Sequence, residues 1–155
     1  MTSPAVDERP VPVVLEPPTG EELVDQFVTC QLSGEQFEHA QHLEVAWYYL
    51  RKWPLLETIK RFDRDLLRFA THHGDPGKYH RTITWAFLFL VHERAARLPD
   101  THQFEEFRSD SADLFEKSKA VLGVYYRPES LADPLSKEIF VFPDAGCSLD
   151  RPAVP

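Results

Sequence analysis

Cysteine is scarce in this chain, and the two present, Cys30 and Cys147, lie far apart and belong to no CxxC pair. They define neither a disulfide framework nor a zinc ribbon, and a reducing cytoplasm is the expected compartment. Positive charge is also short: 17 basic residues stand against 25 acidic ones, for a formal net charge of −8. An acidic surface repels phosphate backbones and anionic headgroups, so no nucleic acid and no membrane is expected as a partner. No long apolar run is present. The longest, residues 83–91, contains Thr84 and Trp85, whereas a bilayer span needs roughly 20 apolar residues. The first residues, Met1 to Pro10, have neither a basic stretch nor an apolar one and do not read as a secretory signal. Phosphate-binding glycine loops, a GxSxG elbow and a cysteine beside a base are all missing, which disfavours nucleotide-dependent chemistry and serine or cysteine hydrolysis.

What remains is one domain's worth of chain. At 155 residues and 43% hydrophobic content, a sizeable core is expected, with no room for a second domain. Prolines mark the ends. Pro4, Pro10, Pro12, Pro17 and Pro18 fall in residues 1–20, which predicts an extended or disordered arm. Residues 21–142 read as the helical domain, and residues 143–155, with Pro143, Gly146, Pro152 and Pro155, as an extended tail. There is no internal repeat and almost no credible strand.

Periodicity predicts an all-α bundle of five or six helices. A first helix is expected from Ser33, where Ser33 with Gln36 forms a capping box and Leu32 with Phe37 the hydrophobic staple. Phe37, Leu43, Ala46, Trp47 and Leu50 continue its stripe up to Trp53-Pro54. Pro54 suits the first turn of a second helix, with Leu55, Ile59, Phe62, Leu66 and Phe69 inward and Lys60, Arg61, Asp63, Arg64 and Arg68 toward water. Residues 74–77 break the chain. A third helix over about 78–97 is apolar nearly all round, which places it at the centre of the bundle. A short helix carrying Phe104 and Phe107, one over about 111–126 and a last one over about 133–141 complete the set.

Histidine carries the chemistry. His39 and His42 are three apart, and Glu35, His39, His42 and Ala46 share one helical face. On the third helix His80 shares a face with Thr84, Phe87 and Val91, so a crossed or antiparallel packing would set His80 against the His39 and His42 pair. Three neutral imidazoles with an open fourth position suit a divalent transition metal, iron, copper or zinc. Glu38 precedes His42 by four, and Glu35 or Glu38 is the candidate fourth ligand or proton shuttle, with Thr84 and Tyr79 as supporting donors. His72 and His73 read as caps at a helix end, His92 lies about 120° around from His80, and His102 reads as decorating a helix start.

The stretch Phe37-x-His39-x-x-His42-Leu43-x-x-Ala46-Trp47, then Tyr79-His80-x-Thr82-Ile83-Thr84, then Tyr125-Tyr126-x-Pro128-Glu129-x-Leu131 and Phe142-Pro143-Asp144, resembles a family of small bacterial proteins of no established activity. The resemblance covers roughly residues 35–144 and implies no substrate.

The expectation is thus a small cytoplasmic metal-dependent enzyme acting on a small-molecule substrate, with hydrolase, lyase and oxygenase chemistry all open. Two alternatives accompany it: a metal-free acid/base enzyme or hydrogen-bonded pocket, and a non-enzymatic interaction module in which the histidines are structural and the Pro-rich arm docks a partner. The composition leaves a homo-oligomer open. A metal-responsive DNA regulator is disfavoured by the acidic balance and by the lack of a helix-turn-helix pattern.

Overall fold

The computed structural model of the chain describes residues 15–146, and among them the architecture is all-α, with no strand. The expected arm and tail fall largely outside these residues. Residues 15–19 and 143–146 carry no helix.

Nine α-helices follow in order: α1 (Gly20–Val28), α2 (His39–Lys52), α3 (Leu55–His72), α4 (Arg81–Ala96), α5 (Phe104–Asp110), α6 (Ala112–Glu116), α7 (Ser118–Tyr125), α8 (Pro128–Ala132) and α9 (Pro134–Glu138). Periodicity did not announce α1, which has no cap of its own: the Thr19 side chain makes no capping bond. The cap comes from 24 residues away, where Glu44 Oε1 on α2 accepts from Gly20 N–H at 2.8 Å. Gly20 holds the left-handed conformation (φ 66) that lets the chain enter α1 beside Tyr48.

The helix expected from Ser33 starts six residues later. The Ser33 and Gln36 box is formed, but it closes a single 3-10 turn, Gly34–Gln36. A second device, Glu38 N–H donating to Gln41 Oε1 at 3.0 Å, then opens α2. The α2 to α3 junction falls at Trp53 and Pro54 as expected, and α3 buries Ile59, Phe62, Leu66 and Phe69. Asp63 does not face water. Its carboxylate accepts from Tyr79 Oη, from Arg81 and from Trp85 Nε1 at 2.9 Å, clamping α3 to the start of α4.

The central helix α4 packs on α2, α3 and α9. After it, the expected 111–126 helix is broken at Lys117 into α6 and α7. On one straight helix Leu114 and Leu122 would diverge by about 80°, and the break lets both bury in one cluster. The last expected helix stops at Glu138 because the next residues are claimed by α4: Thr82 Oγ1 donates to Ile139 O at 2.8 Å and accepts from Val141 N–H at 3.1 Å.

Two cores result. Leu23, Phe27, Phe37, Tyr49, Phe62 and Phe69 form the first, and Leu43, Trp47, Phe87, Val91, Phe107 and Leu114 belong to the second. Helices α2 and α4 contribute to both. No helix of the described residues is long and apolar enough to cross a membrane.

Candidate functional site

At the seam between the two cores lies a cavity of about 70 Å³ bounded by α2, α3 and α4. Leu43 and Phe87 reach it from one core, Ala46, Phe62 and Leu88 from the other. Its polar groups come from His39, His42 and Thr84. No carboxylate, lysine or arginine is among its lining residues.

The two imidazoles differ. His39 opens α2 and lies 2.8 Å through Nε2 from Leu114 O. A carbonyl only accepts, so Nε2 carries a proton. The ring also meets Phe87 edge-on, with centroids 4.7 Å apart. His42, one turn on, packs its ring against Phe37 at 4.2 Å. It forms no side-chain hydrogen bond to any described residue. Burial, and secondarily the neighbouring His39, lower its pKa to about 4, so the ring is neutral over the physiological range. A neutral imidazole always presents one donor and one acceptor, and those of His42 are left to whatever enters the cavity.

His80 is elsewhere. Because α4 begins at Arg81, His80 is its N-cap, and its Nδ1 accepts from Ile83 N–H at 3.2 Å. Its Nε2 lies 2.9 Å from Leu131 O and 3.3 Å from Ser136 Oγ, tying α4 to α8 and α9. With both nitrogens bonded, His80 does not line the cavity. The helical-wheel argument that aligned it with Thr84 required His80 to lie inside the helix. Glu35 is exposed on the 3-10 turn and Glu38 is exposed ahead of α2, and neither lines the cavity. The structure therefore brings together His39, His42 and Thr84, and leaves His80, Glu35 and Glu38 apart. The expected three-imidazole centre would require His80 to leave its bonds to Ile83 N–H and Leu131 O. Among the described residues no three His, Cys, Asp or Glu side chains gather as a ligand set.

His72 and His73 occupy the end of α3, where His73 N–H caps Phe69 O, and His92 is exposed. His102 stands at a helix start as expected, directly before the Gln103 cap of α5, but it is buried there. It is 2% exposed, accepts from Trp47 Nε1–H at 3.1 Å and has Nδ1 2.6 Å from Pro99 O. A buried indole N–H requires an acceptor, and this need of Trp47 was the sequence signal for His102. No family model, curated protein or solved structure matches the chain.

Proposed function

We propose that the chain binds a small, uncharged molecule in the seam cavity, held by the His42 imidazole with Thr84 and surrounded by apolar side chains. The observation that carries this reading is His42: a half-buried imidazole with no side-chain hydrogen bond to any described residue, on a cavity otherwise lined largely by aliphatic and aromatic groups. The absence of charged lining residues disfavours an ion. Size sets the other limit. An engineered cavity of about 150 Å³ holds benzene, so a cavity of about 70 Å³ suits a guest of fewer heavy atoms.

A general base works best with a pKa near the operating pH. His42, at about 4, is a better hydrogen-bond partner than proton acceptor, and this favours holding a molecule over abstracting a proton from it. A metal-dependent enzyme is the second reading, supported by the presence of both His39 and His42 on one cavity, with two protein ligands in place of the expected three.

The test is a screen of uncharged molecules of about two to four heavy atoms, read by thermal shift and by NMR at Thr84 and His42. Hits should cluster on the cavity and disappear in His42→Phe, which removes the polar atoms and fills the space. Elemental analysis of the same samples decides the second reading: near-stoichiometric transition metal in the wild type, lost in His42→Ala, would establish it. Neither guest nor metal in the wild type would remove both.

A further inference from the structure

A second concavity, independent of the seam cavity, opens among α1, the end of α2 and α3. Its volume of about 990 Å³ lies at the upper end of the roughly 300–1,000 Å³ usual for ligand clefts. Its walls are oppositely charged. Helix α1 brings Glu21, Glu22 and Asp25, and the other side brings Arg51, Lys52, Arg61 and Arg64 around a single carboxylate, the buried Asp65.

These charges do not neutralise one another. Arg61 pairs with Glu57 and Arg64 with Asp65, and Arg51 donates to His102 O, so each basic group that is engaged is engaged away from α1. Among the described residues no ion pair links the two walls, and Glu21, Asp25 and Lys52 make no side-chain ion pair or hydrogen bond at all. Exposed ion pairs gain little on their own, so nothing draws the side chains of the two walls together. Here the backbone is fixed by the ring contacts of Phe27 on α1 with Tyr49 on α2 and Phe62 on α3, at 6.4 and 5.9 Å. Between the walls lie apolar groups, Val24 and Val28 on α1 and the Trp53 indole, which carries Arg61 at 4.5 Å and Lys52 at 5.0 Å from its ring centre.

The geometry points to this groove as a binding site for a short peptide with free ends, its ammonium group against Glu21 and Asp25 and its carboxylate against Lys52 and Arg64. Two to four extended residues reach about 7–14 Å, enough to bridge walls too far apart for a direct ion pair. An anionic polymer is repelled by α1, and a polycation by the facing wall. Val24 and Val28 would receive an apolar side chain from the middle of the peptide.

The probe is alanyl-leucyl-alanine, titrated into the full chain at low salt and followed by 1H–15N NMR. The expected result is shifts confined to α1 amides, the end of α2 and the Trp53 indole N–H. Acetylating the amino end or amidating the carboxyl end should each weaken binding about fivefold. Glu21→Gln with Asp25→Asn should erase the effect of acetylation alone, and Lys52→Gln should reduce the effect of amidation alone. All three sites are on the surface, so the variants fold. No groove shifts at millimolar peptide, or equal binding of the doubly blocked peptide, would overturn the assignment.

Discussion

His42 is the residue on which the functional account turns, and its environment makes a prediction that needs no ligand. Its pKa is about 4 in the folded chain against 6.5 in the unfolded one. Between those pH values the unfolded chain binds the extra proton, so stability rises with pH across that window. The contribution is complete above about pH 6.5 and is lost as pH falls toward 4, a total of roughly 3 kcal/mol. Urea titrations at pH 7 and pH 4.5 should show the wild type losing more stability than His42→Phe, in which no proton can bind at that position. Parallel losses in the two proteins would mean that His42 is not desolvated. At this scale the sequence was a partial guide. The spacing of His39 and His42 put both on one cavity, which Thr84 also lines. His80 was misplaced because a one-residue shift across a helix start changes a side chain from face member to cap. The burial of His102 was not legible because its partner, Trp47, is 55 residues away and no local pattern links them.

Among the elements, α1 shows how a helix escapes a reading built on local signals. Start signals near Ser33 and before Pro54 were legible because the groups that make them are within a few residues. Helix α1 is closed by Glu44, whose carboxyl is 7% exposed in the residue as a whole and is pushed above the ordinary carboxylate range by burial. Removing that acceptor should cost about 1 kcal/mol. Glu44→Ala is expected to lose hydrogen-exchange protection across the amides of α1, while Glu44→Gln, which keeps an oxygen for Gly20 N–H, retains most of it. Protection unchanged in the alanine variant would show that α1 is held by Leu23 and Phe27 alone. The broken 111–126 segment has a similar cause: periodicity fits one helix, but burying Leu114 and Leu122 together does not. Tertiary packing decided between two locally acceptable backbones.

For the molecule as a whole, the all-α class and the central position of α4 follow from hydrophobic periodicity and were legible in advance. The existence of two cores was not, because α2 and α4 present residues to both and a single-stripe reading cannot separate the faces of a shared helix. The seam between those cores is where the cavity lies, and six residues of the two histidine motifs, His39, His42, Leu43, Ala46, Ile83 and Thr84, line it. Close packing leaves few voids in an interior. One lined by His39, His42 and Thr84, with no hydrogen bond from the His42 ring to any described residue, supports the proposed binding reading. The direct test is long-range 1H–15N NMR of the histidine rings, before and after addition of the strongest hit from the small-molecule screen or of zinc. The account predicts that His42 responds, with His39 following, while His80 keeps the shifts of a ring bonded at both nitrogens. His80 moving in step with His42 would restore the three-imidazole site and contradict the account, and so would a His42 ring that no addition disturbs.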